Sequence, residues 1–240
     1  MNDRGASPAI VISGRFGSGK TEVAINYARA LAAGHAPGAR GKESQPQPPD
    51  GVVLVDLDIV TPYFRSREAA AEMEKVGVRV VAPSVIGQHL DTPAITPQIL
   101  GAIQQTRHAV ILDVGGDKQG ARALGQFSHA IRQRGYVMHF VINPFRPFTG
   151  NLQGVAASIA EIEESARLQV TSLVSNPNLI AETSLEHILE GHALVESFAR
   201  ALELPIALVC IERRWAGELS REELGRPLLI LDRYFVQHWE

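Results

Sequence analysis

Gly14-Arg15-Phe16-Gly17-Ser18-Gly19-Lys20-Thr21 sets a lysine and a hydroxyl directly behind a glycine-rich turn. The apolar run Ala9 to Ser13, bounded by Pro8 and Gly14, reads as a strand, and from Thr21 to Ala33 the pattern is helical. Strand, glycine loop and helix in this order are the setting that G-x-x-x-x-G-K-[ST] requires. The glycines let backbone N–H groups of Gly14 to Thr21 turn inward as an anion nest, and the helix N-terminus adds its dipole. Lys20 then reaches the β- and γ-phosphates of a nucleotide, and the Thr21 hydroxyl ligates Mg2+. The chain has only four lysines, so an accidental lysine at this position is a weak explanation.

The rest of the chain alternates in the same way. Strands are expected at Val52–Asp56, Val78–Val81, Ala109–Asp113, Tyr136–Ile142, Val170–Ser175 and Ile206–Ile211, with a last apolar segment at Pro227–Leu231. Helices fit at Ser66–Val76, Thr96–Thr106, Gly120–Arg134, Asn151–Leu168 and Ser184–Leu202. The pattern predicts a three-layer, doubly wound α/β fold: a mainly parallel sheet with helices on both faces and ligands at the carboxyl ends of its strands. One domain over residues 1–240 is expected, with a mobile surface loop at 34–50, where Gly, Pro, Gln and Ala replace any periodicity.

Two strand ends carry acids that a parallel sheet delivers to the nucleotide side. Val52-Val53-Leu54-Val55-Asp56-Leu57-Asp58 places Asp56 and Asp58 on one face of a strand, where they can hold Mg2+-bound water and orient the attacking water. Ala109-Val110-Ile111-Leu112-Asp113 continues as Val114-Gly115-Gly116-Asp117, the form of a Walker B acid followed by D-x-x-G. Asp113 is expected to support Mg2+, and the amide of Gly115 or Gly116 to sense the γ-phosphate. The resulting metal set is Thr21, Asp56 and Asp113, with Lys20, Asp58 and Arg15 as the catalytic set.

These three elements, with the pairs Asn143-Pro144 and Asn176-Pro177, resemble the MinD/ParA/CobQ group of P-loop ATPases, the deviant-Walker-A or SIMIBI class. Asp56 to Glu68 together with Asp113 to Gly125 looks like a MinD-like branch of it. The resemblance implies ATP and Mg2+ as cofactors, slow hydrolysis without a partner, and a nucleotide-dependent homodimer. It places a signature residue at Arg15, where the group has a lysine that reaches the partner's nucleotide; an arginine there keeps the charge and can act in cis or in trans. It also implies that Asn176 reads adenine, since an amide offers both a donor and an acceptor to a base edge.

Other classes stay open. A biosynthetic ligase or kinase similar to dethiobiotin synthetase or the cobyrinic-acid amidating enzymes would act on a small carboxylate, with Tyr63, Arg65 and Arg67 as its only substrate candidates. An accessory GTPase or metallochaperone lacks support, because no Asn/Thr-Lys-x-Asp motif and no Cys/His cluster occurs. A module that binds nucleotide without turning it over is a further alternative. A net charge of −3 offers no general attraction to nucleic acid, and no run approaches the roughly 20 apolar residues of a membrane span. A cytoplasmic protein is therefore expected, engaging a protein partner or a small carboxylate. The single Cys210 belongs to an apolar run, and the histidines, His89, His108, His129, His139, His187 and His192 among them, lack ligand-like spacing.

Overall fold

The computed structural model describes residues 7–35, 37, 50–58, 70–82 and 97–234. Eight strands form one sheet: β1 (Ala9–Ser13), β2 (Val52–Leu57), β3 (Val78–Val81), β4 (Ala109–Val114), β5 (Tyr136–Ile142), β6 (Ser172–Ser175), β7 (Ile206–Glu212) and β8 (Leu228–Leu231). Their order is β3-β2-β4-β1-β5-β6-β7-β8, and every pairing is parallel. The expected fold class is the observed one. The helices are α1 (Lys20–Ala32), α2 (Ala70–Lys75), α3 (Pro97–Gln104), α4 (Lys118–Gly125), α5 (Ser128–Arg134), α6 (Leu152–Ala166), α7 (Leu185–Leu202) and α8 (Arg221–Leu224).

Strand alternation explains the layering. Val53, Val55 and Leu57 of β2 and Val110, Leu112 and Val114 of β4 pack with Ile99, Leu124, Ile131, Ile159 and Val195 of helices α3 to α7. Their neighbours Leu54, Ile12 and Ile111 point the other way, onto Val23, Ile25 and Ala28 of α1 and Met73 of α2. Both faces are buried, so the strands read as continuous apolar runs. A third cluster, Ile188, Val209, Ile211, Leu219 and Leu224, closes the β7–β8 end, where the short α8 follows a Ser220 cap that the apolar pattern did not reveal.

One expected helix, Gly120–Arg134, is two. Asp117 caps α4, its side chain accepting from the Gly120 N–H at 2.8 Å, so the helix begins earlier. It stops at Gly125, whose Cα lies so close to α6 that an added Cβ would stand 2.6 Å from the Ser165 carbonyl. A turn at 126–127 then redirects the chain into α5. The expected loop at 34–50 falls mostly outside the described residues, as do the start of the Ser66–Val76 helix, Tyr63, Arg65, Arg67 and His89.

β5 carries a buried histidine that ties stability to pH. His139 has its Nδ1 2.6 Å from the Ser172 hydroxyl, and burial pushes its pKa down to about 4. A proton therefore binds the unfolded chain better than the folded one. The stabilisation is complete above the ordinary histidine value of 6.5 and is lost as pH falls through 4, a change on the order of 3 kcal/mol. Urea unfolding between pH 7 and pH 4 is expected to show a shallower loss for His139→Gln than for the unaltered protein. Parallel pH profiles would contradict this account.

Candidate functional site

β1 is the point at which the chain's winding reverses: from β1 it builds outwards to β3 and back to β4 on one side, then continues from β5 on the other. Such a point opens a crevice beyond the carboxyl ends of the strands. The Gly14–Lys20 turn leaves β1 into that crevice and ends at α1, where Gly19 precedes the helix with φ 83°, a left-handed conformation that suits glycine. A Cβ there would also stand 2.4 Å from Asn176 Nδ2.

Register brings the acids alongside. Asp56 of β2 is the partner of Asp113 of β4, and Asp113 is in turn the partner of Ile12, two residues before the turn. Lys20 is 6% exposed, and its Nζ lies 3.6 Å from Asp58 Oδ2. Asp58 also donates its backbone N–H to Asp56 Oδ1 at 3.0 Å. Thr21, at the start of α1, is near enough to the Asp113 carboxylate to favour its charged form. Burial pushes the Asp113 carboxyl up to about 7; Lys20 opposes the rise, and the negative charges of Asp56 and Asp58 add to it. Asp113 Oδ1 finds no hydrogen-bond partner among the described residues, and neither do the buried Ser13 and Ser18 hydroxyls or Arg146 Nε. Buried polar atoms without partners are uncommon in native folds; these four lie at or beside the turn, while His108 Nδ1, Ser165 Oγ and Trp215 Nε1 lie elsewhere.

The second acidic strand end also abuts the turn. A Cβ on Gly116 would lie 2.7 Å from the Gly14 carbonyl oxygen and 2.7 Å from the Phe16 nitrogen, so Gly116 rests on the loop backbone. Gly115 sits beside Asp58, 3.2 Å from an added Cβ to Oδ1.

Two sequence-selected residues face elsewhere. Arg15 Nη1 makes an ion pair with Glu161 Oε2 of α6 at 2.8 Å, and its guanidinium lies 5.0 Å from the centre of the Phe148 ring. Asn176 lies beneath the loop, 3% exposed, with Nδ2 donating to the Ser18 carbonyl at 2.7 Å. Phe16 is 72% exposed, so only its backbone belongs to the nest. Sequence reasoning missed Arg146, which the loop after β5 lays over Gly17; its place between Asn143-Pro144 and Pro147 was the only available signal.

The donor set suits Mg2+ in chemistry: hydroxyl and carboxylate oxygens only, with one carboxylate oxygen buried and unpartnered. Among the described residues no three acids, histidines or cysteines converge into a self-sufficient metal cage. A cavity of about 760 Å³ lies elsewhere, between α1 and β8, lined by Arg29, Arg213, Leu229 and Asp232 and by no residue of the phosphate loop.

No family model and no curated protein matches the sequence. Solved structures do match. Cell division protein FtsY of Thermotoga maritima is 18% identical with TM-score 0.51, over 84% of this chain and 60% of that one. Chloroplast FtsY of Physcomitrella patens is 15% identical with TM-score 0.52, over 85% and 58%. The signal recognition particle receptor FtsY of Elizabethkingia anophelis is 16% identical with TM-score 0.51, over 85% and 57%. The likeness is one of fold: an all-parallel sheet with helices on both faces, shared with these three structures. The match spans about 57 to 60% of the length of these proteins. No helix among the described residues is long and apolar enough to cross a membrane.

Proposed function

We propose that this chain is a Mg2+-dependent, ATP-hydrolysing molecular switch of the MinD/ParA-like kind. The observation that carries the reading is the convergence of the phosphate loop, Lys20 and Thr21 with the paired strand ends Asp56 and Asp113. Thr21, Asp56 and Asp113 would hold Mg2+, which when bound neutralises charge on the β- and γ-phosphates. Lys20 exchanges its Asp58 partner for phosphate oxygens, which frees Asp58 to orient the attacking water. Gly116, resting on the loop, transmits the presence of the γ-phosphate to α4. Positioning and charge stabilisation supply nearly all catalysis in such sites, so hydrolysis is slow until a partner or a second copy engages the triphosphate state.

ATP is favoured over GTP by the lack of a guanine-recognition motif in the sequence. We assign Asn176 to holding the loop, because its amide nitrogen is given to Ser18. Asn176→Ala leaves that buried carbonyl without its donor and is expected to lower stability by about 1–3 kcal/mol. It should weaken ATP and GTP binding by the same factor in equilibrium titrations. A tenfold change in the ATP-to-GTP preference would instead show that the side chain reads the base. A role for Arg15 at phosphate, in its own subunit or across an interface, requires its release from Glu161.

The reading is tested by following phosphate release from Mg2+-ATP while recording molecular mass with and without a non-hydrolysable ATP analogue. Slow release with an analogue-induced rise in mass supports the switch. Rapid release that depends on an added carboxylic acid would favour the ligase reading.

A further inference from the structure

We infer that Arg146 is a phosphate-binding residue, supplied by the chain's own β5–α6 loop to the nucleotide's phosphate groups; this rests on the nucleotide-binding reading above. Among the described residues, Lys20, Arg15 and Arg146 are cations at the phosphate loop. Lys20 pairs with Asp58 and Arg15 with Glu161, whereas Arg146 has no ion pair among the described residues. Its stem lies on the loop backbone: Nε, Cδ and Cγ are 3.3, 3.4 and 3.6 Å from where a Cβ of Gly17 would be. Nε is buried and finds no acceptor. A buried, unsatisfied guanidinium N–H is costly unless a ligand supplies the oxygen.

The loop that presents it is held by hydrogen bonds on both sides of Arg146. The Arg146 N–H donates to the Asn143 carbonyl at 3.2 Å, and the Arg146 carbonyl accepts from the Thr149 N–H at 3.0 Å. The Thr149 hydroxyl donates to the same Asn143 carbonyl at 2.6 Å, and the Asn143 amide donates to the Asn178 carbonyl at 2.8 Å. Pro144 and Phe145 press on α7 at Gly191, where an added Cβ would lie 3.1 Å from each. A backbone held in this way has little freedom to lose on binding, and a guanidinium can meet two phosphate oxygens at once. The sequence pattern put an arginine on the nucleotide at position 15; the geometry points to position 146.

Equilibrium titration of Mg2+-ATP and Mg2+-ADP onto the unaltered protein, Arg146→Ala and Arg146→Lys tests this, with thermal unfolding of each nucleotide-free protein. The expected result is a ten- to hundredfold loss of ATP affinity in Arg146→Ala, partly restored in Arg146→Lys, with unfolding temperature unchanged or higher. Equal ATP affinity in the unaltered protein and Arg146→Ala would overturn the assignment. So would a loss matched by a drop in nucleotide-free stability, which would make Arg146 a prop for the loop. Failure of the unaltered protein to bind either nucleotide would overturn the nucleotide-binding reading itself, and the inference with it.

Discussion

Lys20→Ala is expected to lower Mg2+-ATP hydrolysis to about 1% of the unaltered rate or less, the scale on which a preorganised charge acts at a transition state. Lys20 is buried and stands against Asp58, and its charge also holds down the pKa of Asp113. Removing it takes the point charge from the β- and γ-phosphates. Phosphate release from Mg2+-ATP by the variant and the unaltered protein measures the loss. A variant that keeps more than a tenth of the unaltered rate would contradict the assigned role.

Gly116→Ala should be nearly as damaging through geometry alone. The new methyl would meet three backbone atoms of the loop: the Gly14 oxygen at 2.7 Å, the Phe16 nitrogen at 2.7 Å and the Arg15 carbonyl carbon at 2.9 Å. None is the far end of a flexible side chain, so the β4 end and the loop must move apart. Overpacking of this kind costs about 1–3 kcal/mol of stability, and a displacement near 1 Å at a reacting centre costs about a hundredfold in rate. Gly217→Ala is the control, because among the described residues nothing lies within 4 Å of a Cβ there. Steady-state hydrolysis and urea unfolding of both variants check the prediction; unaltered rates in Gly116→Ala would refute the contact's importance.

What the sequence made legible was local. The phosphate loop is one continuous segment flanked by its own strand and helix, and Asp56 and Asp113 each close an apolar run, so pattern and chemistry coincided. The all-parallel layering followed from strands that are apolar on both faces. What stayed hidden depends on segments far apart in the chain. Arg15 and Glu161 are separated by 146 positions, and only the packing of α6 beside the loop makes them a pair. Asn176 and Ser18 are 158 positions apart, and the amide's hydrogen bond beneath the loop follows from β6 lying two strands from β1. Arg146 has no motif of its own, and its position over Gly17 comes from turns anchored on Asn143 and Asn178. The break between α4 and α5 has the same kind of origin, since Gly125 must clear the α6 carbonyl of Ser165.

The most direct test of the central claim is equilibrium binding of ATP and of GTP to the unaltered protein, with Mg2+ and with a chelator in its place. The account predicts Mg2+-dependent binding that favours ATP. No binding of either nucleotide with Mg2+ present would contradict it.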